Sequence, residues 1–305
     1  MSDRRRAVIL SAFLFLVLGS FVTACASLSR WQTFYSAGEK YRLAGEYKLA
    51  EKVFNDALTE ATMFGGAGEQ IGKTYFSLAE LYRSQGRTDE AEKAVRQAID
   101  RFVTSEDVSA EHAHALLLLA DLCYSKKQLR EAEGYYAKGI AMLSKFPSDK
   151  DFAMALSVSL SQHGAVLGDL RMFKEADGEF KRSLAVTKSL PIREFKLLQG
   201  KILSRYAATE TGAGHFEEAE RLFKQALYHE EIYWCPADPN VARVMADYEN
   251  MLRKAGRTKE ADHLKLRREK ISASVKENPL GLDPEGKDVS KYYCPGIDGP
   301  AAVAR

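Results

Sequence analysis

The chain has 305 residues, 46% of them hydrophobic, with 44 lysines and arginines against 42 aspartates and glutamates. That apolar share supplies a packed core, and only 8 prolines leave room for long helices, which excludes disorder along the whole length. The near-balance of charge excludes a surface dominated by a basic stripe for nucleic acid.

The N-terminus reads as a targeting segment. Arg4, Arg5 and Arg6 form a basic stretch, Ala7 to Val22 is apolar and uncharged, and Val22-Thr23-Ala24-Cys25 follows. An aliphatic residue, two small residues and a cysteine resemble the lipobox of bacterial lipoproteins, in which the cysteine is acylated and becomes the mature N-terminus. The resemblance implies a signal peptide over 1–24, lipidation of Cys25 and a lipidated tether over 25–30. Ala26 after the cysteine implies sorting to the outer membrane, facing the periplasm. Two alternatives stand beside it: an uncleaved anchor, since the run from Ala7 to Ala24 is nearly long enough to span a bilayer, and simple secretion.

From Trp31 onward the chain repeats itself. Gly45-Glu46-Tyr47-Lys48-Leu49-Ala50 returns as Gly86-Arg87-Thr88-Asp89-Glu90-Ala91, as Gly214-His215-Phe216-Glu217-Glu218-Ala219 and as Gly256-Arg257-Thr258-Lys259-Glu260-Ala261, with weaker copies around Ala132 and Ala176. The marker alanines 50, 91, 132, 176, 219 and 261 are spaced by 41, 41, 44, 43 and 42 residues. A second signature ends nine residues before each marker, as in Phe34-x2-Ala37-Gly38-x2-Tyr41, Tyr75-x2-Leu78-Ala79-x2-Tyr82 and Leu203-x2-Tyr206-Ala207-x2-Glu210. Offsets of three, four and seven share one helix face, so each signature is the apolar stripe of a first helix. The glycines stand where that helix turns, because glycine adopts the left-handed C-cap at little cost. The marker alanines let a second helix cross closely, and Phe54, Tyr136, Phe180 and Phe223 fill the groove beside them. A lone helix pair cannot bury both faces, whereas stacked pairs can.

This pattern resembles the tetratricopeptide repeat, in a form with longer helices than the usual ~34-residue unit. The resemblance covers roughly residues 31–275. It implies an all-α superhelical solenoid of about six helix–turn–helix repeats, at approximately 31–64, 72–105, 113–146, 157–190, 200–233 and 242–275. Departures from the pattern are Gly139 and Ser183 for a late alanine, Glu210 and Glu249 at apolar positions, and Lys265 for an aromatic. The last repeat reads as a polar cap.

Between repeats, 62–70 reads as a glycine-containing linker, and Pro147 and Pro191 mark further breaks. Trp234-Cys235-Pro236-Ala237-Asp238-Pro239 breaks the chain before the last repeat, with Asp238 placed to cap a helix that has Pro239 at its first position. The glycines and prolines of 276–305 predict an irregular tail.

Several local motifs compete with the repeat. Ala67-Gly68-Glu69-Gln70-Ile71-Gly72-Lys73-Thr74 satisfies a relaxed phosphate-loop pattern, yet the strand that this chemistry requires before the loop is missing, so no nucleotide is expected. His112, His114, His163, His215, His229 and His263 form no ligand set at metal spacing, and no nucleophile–base pair stands out. Neither a metal nor a cofactor is expected. Cys123 falls at a buried helix position. Cys235 and Cys294 can pair in an oxidising compartment, closing a loop of about 60 residues worth roughly 4 kcal/mol; two unpaired cysteines are the alternative.

The tetratricopeptide resemblance also implies that the first helices line a concave groove. Counting along them places Tyr35, Glu39 and Arg42, then Lys73, Phe76, Glu80 and Arg83, then His114, Leu117, Asp121 and Tyr124, and finally Arg243, Asn250 and Arg253 on that surface. Tyr35, Phe76 and Tyr124 stand either as groove anchors or as packing residues. Repeats four and five offer Val158, Ser161, Ala165 and Gly168, then Lys201, Ser204, Ala208 and Thr211, a smoother and roomier stretch. The function expected is a non-enzymatic, lipid-anchored periplasmic scaffold or adaptor that holds a protein or peptide in this groove during cell-envelope assembly or secretion. The alternative is a small-ligand-binding or enzymatic envelope protein using the same groove.

Overall fold

The computed structural model describes residues 30–63, 68–104, 109–146, 150–233 and 238–277. The signal segment with Cys25, the Pro147 break, Cys235, Cys294 and the tail beyond 277 lie outside the described residues. Among those described are twelve helices and no strand. They are α1 (30–43), α2 (Tyr47–Met63), α3 (Gly68–Ser84), α4 (Thr88–Thr104), α5 (Ala110–Ser125) and α6 (Leu129–Leu143). There follow α7 (Lys150–Asp169), α8 (Phe173–Thr187), α9 (Ile192–Ala213), α10 (Phe216–Tyr233), α11 (Pro239–Lys254) and α12 (Thr258–Glu277). They form two compact units, one with α1 to α5 and the other with α6 to α12, divided between Gln128 and Leu129.

The repeat pattern is visible in both units. All six marker alanines are fully buried, and so are Phe54, Tyr136, Phe180 and Phe223. The glycine turns adopt the expected left-handed backbone, with φ of 76°, 73°, 84° and 78° at Gly45, Gly86, Gly214 and Gly256. In repeats three and four Lys127 (φ 62°) and Arg171 (φ 63°) take the same place, five residues before the marker alanine. Every one of the six turns is closed by the same backbone bond, from the amide after the left-handed residue to the carbonyl five back, at 2.9–3.0 Å. That bond identifies the helix-ending motif that demands a left-handed residue, whatever its side chain.

Three helices begin earlier than their linker composition predicts. Glycines 68 and 72 do not keep the chain open: α3 starts at Gly68, with Glu69 in its first turn at 2.6 Å from Lys73. An acid there offsets the exposed helix amides. The longer spacings around Ala176 and Ala219 are absorbed by α7 (20 residues) and α9 (22 residues), the second opening directly after Pro191. Asp238 caps α11 as expected, accepting from the Asn240 amide at 2.7 Å with Pro239 in the first turn.

A polar tie joins successive repeats on the side of the second helices. Each marker alanine is followed by an acid: Glu51, Glu92, Glu133, Asp177, Glu220 and Asp262. Glu51 accepts from Tyr82 at 2.9 Å and Arg87 at 2.8 Å, both in the next repeat. Glu92 pairs with Lys126 at 2.6 Å, and Glu220 with Tyr248 at 3.0 Å and with Arg257. Asp177 accepts from the Tyr206 hydroxyl, and Glu133 lies 4.0 Å from His163. Burial and the Glu51 charge push the Tyr82 hydroxyl up to about 12, while Arg257 and Lys224 hold the Glu220 carboxyl down at about 2.

Candidate functional site

In the first unit, α1, α3 and α5 bring several of the residues counted onto the first-helix face within ion-pair distance of one another. Its charges pair across the helices. Arg42 donates to Glu39 at 2.7 Å and lies 3.6 Å from Glu80 on α3. Lys73 joins Glu69 at 2.6 Å to Glu111 of α5 at 3.1 Å, and Arg83 lies 3.9 Å from Asp121. Burial works against the charged form of Arg42 and Lys73, yet their carboxylate partners hold both above their ordinary values. The opposite balance holds at Glu80, where burial lifts the carboxyl against the pull of Arg42. His114, half-buried beside them, is pushed down by its burial.

Of the three aromatic candidates, Tyr35 does double duty. Its ring stacks on Trp31 at 5.1 Å and lies 6.1 Å from Phe54, while its hydroxyl accepts from Ser77 at 3.2 Å. Burial raises its ionisation. Trp31 itself is buried and donates to Thr74 at 3.0 Å. Tyr35 is therefore tied into the packing, with only part of its ring left at the surface. Phe76 and Tyr124 remain half-exposed, and Lys127 sits over the Tyr124 ring at 5.6 Å. Leu117, counted on this face from the sequence, is buried in the core instead.

The phosphate-loop look-alike is helix from Gly68 onward. Gly72 is buried where a methyl group would meet Phe102 at 2.8 Å, Thr74 accepts from Trp31, and Lys73 is held by Glu69 and Glu111. Among the described residues no group of three or more histidines, cysteines or acids is placed to hold a metal. No described helix is long and apolar enough to cross a membrane.

In the second unit the expectation of a roomy stretch is corrected. Ser161, Ser204 and Thr211 are buried, and a methyl on Gly168 of α7 would meet Thr209 of α9 at 2.6 Å. The small residues bring α7 and α9 into close contact, as backbone approach requires, and open no groove between them. Ser183, the departure from alanine, donates to the Ser157 carbonyl at 2.7 Å and so joins α8 to α7. Glu210, buried, and Glu249, partly buried, are acids at apolar pattern positions and are explained by His215 at 2.7 Å and by Arg253 and Arg268 at 3.0 and 3.1 Å. Arg253 is also taken by Asp262 at 2.8 Å, whereas Arg243 and Asn250 are exposed. These three do not converge on a shared clamp.

The open concavity of this unit lies elsewhere. A groove of about 840 Å³ runs between α8 and α10, floored by α9. Phe173, Leu184, Leu203 and Leu222 supply apolar lining; Lys174, Lys181, Lys188 and Arg221 supply cations. None of the residues counted onto the first-helix face lines it. Sequence counting missed it because its two walls come from second helices about 40 residues apart.

Residues 32–102 and 70–145 match the Tetratricopeptide repeat family. The fold is tetratricopeptide-like. Among solved structures, the chain resembles PilW, titled a widely conserved type IV pilus biogenesis factor, at 18% identity and TM-score 0.57, covering 82% of this chain and 94% of that one. It resembles a Rap protein complexed with competence and sporulation factor at 14% identity and TM-score 0.51, covering 81% and 76%. It also resembles aspartyl phosphate phosphatase F of Bacillus subtilis at 14% identity and TM-score 0.55, covering 86% and 75%. At these identities the likeness concerns the fold. No curated protein matches the sequence.

Proposed function

We propose that this chain is a non-enzymatic, lipid-anchored scaffold of the bacterial envelope that holds a protein or peptide partner on the face of α1, α3 and α5. The observation that carries the reading is the cross-helix row of Arg42–Glu80, Lys73–Glu111 and Arg83–Asp121 beside the half-exposed rings of Tyr35, Phe76 and Tyr124. Aromatic surface bordered by arginine is the composition of interface hot spots. Because the charges are already paired, they favour a partner of matching charge order over one that merely carries net charge. The tetratricopeptide-like neighbours support the same use, since one is titled a type IV pilus biogenesis factor and another is complexed with competence and sporulation factor. Arg4-Arg5-Arg6, the apolar run and Val22-Thr23-Ala24-Cys25 support acylation at Cys25 and an outer-membrane position facing the periplasm.

The test is a membrane-fraction pull-down of the native protein beside Cys25→Ala and Arg42→Glu/Arg83→Glu variants. The expected result is loss of membrane association in the first, with partners retained, and loss of partners in the second, with membrane association retained. Unchanged size and fractionation of Cys25→Ala would sink the anchor. Partner recovery unchanged by Arg42→Glu/Arg83→Glu would sink the face.

A further inference from the structure

The groove between α8 and α10 is a different surface from the proposed partner face, and its chemistry is more specific. Each acid at its edge is already engaged: Asp177 by Lys181 at 2.8 Å and by the Tyr206 hydroxyl, Glu210 by His215 at 2.7 Å, and Glu218 by Arg221 at 2.8 Å. Lys174 and Lys188 are exposed and make no ion pair among the described residues. Lys181 and Lys188 follow Lys174 by seven and fourteen residues, nearly whole turns, the last as the C-cap of α8, and the three therefore share one edge of the groove. The distance along the helix from Lys174 to Lys188 is about 21 Å at ~1.5 Å per residue. Between these ends Leu203 of the α9 floor and Leu222 of the α10 wall supply apolar surface, beside the polar Gln199 and Tyr206.

The geometry points to a second binding site here, for an extended peptide segment with acidic residues six positions apart and apolar residues between them. The spacing follows from the backbone. An extended chain rises about 3.3 Å per residue, so six residues span about 20 Å and match the separation of the two lysines. An even separation puts both acidic side chains on the same side of the strand, together with the residues at positions two and four between them. Those two intervening side chains face Leu203 and Leu222 while the carboxylates reach Lys174 and Lys188. A compact dicarboxylate or a phosphate cannot engage both lysines at once.

The probe is a fluorescein-labelled, end-capped heptapeptide, Asp-Ser-Leu-Ser-Leu-Ser-Asp, titrated with the full chain and read by fluorescence anisotropy at low and moderate salt. Saturable binding is expected, weakened at least tenfold by Lys174→Glu/Lys188→Glu. That variant should in turn prefer the peptide with lysine at both ends, a rescue that a misfolded variant would not show. Arg42→Glu/Arg83→Glu should leave the affinity within twofold, which separates this site from the proposed partner face. Four results would overturn the assignment: no saturable binding to the native chain, equal binding of the peptide with asparagine at both ends, displacement by equimolar succinate or phosphate, and insensitivity to reversal of the two lysines.

Discussion

Replacing Arg171 by glycine should make the protein more stable. Arg171 holds a left-handed backbone, φ 63°, at the turn between α7 and α8, where four of the other five turns use glycine. The conformation is fixed by the amide of Met172 donating to the Leu167 carbonyl at 2.9 Å, so it persists whatever the side chain. A residue with a Cβ pays roughly 1–2 kcal/mol for that region. Glycine removes this penalty but gains about 0.4–1 kcal/mol of unfolded-state entropy. The side chain is exposed and makes no ion pair among the described residues, so little else changes. The net expectation is a gain of about 0.5–1 kcal/mol. The converse substitution is Gly214→Ala, where an added methyl meets no atom within 4 Å. Its cost is therefore conformational alone, about 0.5–1 kcal/mol of lost stability. Urea denaturation followed by circular dichroism reads both, with equal slopes showing that the surface exposed on unfolding has not changed. A lower midpoint for Arg171→Gly, or a higher one for Gly214→Ala, would refute the backbone argument.

Other outcomes follow from the packing and the charges. Lys127→Gly should also raise the urea midpoint, by less than Arg171→Gly because the contact of Lys127 with the Tyr124 ring is lost. Gly164→Ala places a methyl 2.9 Å from the Phe180 ring, which is fully buried and stacked at 4.9 Å on Tyr206. With no room to rotate, the variant should lose about 1–3 kcal/mol in the same assay. The Glu220 carboxyl is depressed to about 2 in the folded protein. Its contribution should therefore be complete above the unfolded value of about 4.3 and disappear as pH falls towards 2. The native chain should lose more stability than Glu220→Gln between pH 5 and pH 2 in denaturation midpoints, and parallel losses would show that the tie to Arg257 carries no such linkage.

The repeat was legible because its signals are local. A glycine, an alanine five residues on and an aromatic four beyond that are all set by contacts within one hairpin, and the structure buries or bends each as the spacing required. What escaped were positions decided by neighbours distant in sequence. Lys127 and Arg171 carry no intrinsic preference for the left-handed region, so the turn's hydrogen bonding imposes it. The acid after every marker alanine was present six times in the sequence, yet for Glu51, Glu92 and Glu220 its meaning depends on a tyrosine or cation about 25–40 residues downstream that only stacking brings near. Arg42 and Glu80, Lys73 and Glu111, and Arg83 and Asp121 come within 4 Å across the first helices because adjacent first helices share one register. Counting along the helix could not show that Leu117 and the small residues of α7 and α9 are consumed by packing.

The two surfaces differ in what a partner must displace. On α1, α3 and α5 every named cation lies within 4 Å of a carboxylate, so an incoming charge replaces an existing pair and the net gain is small. Affinity there has to come from the aromatic rings and from shape, while the charges act as a filter on which partners fit. At the two ends of α8, Lys174 and Lys188 make no ion pair among the described residues, and the acids that share the groove are committed to Lys181, His215 and Arg221. An acidic segment therefore meets unpaired lysines at both ends with Leu203 and Leu222 between them, and its binding should fall with added salt. A chain whose two units present such unlike surfaces is suited to holding two segments of different chemistry, one chosen by charge order and one by charge spacing.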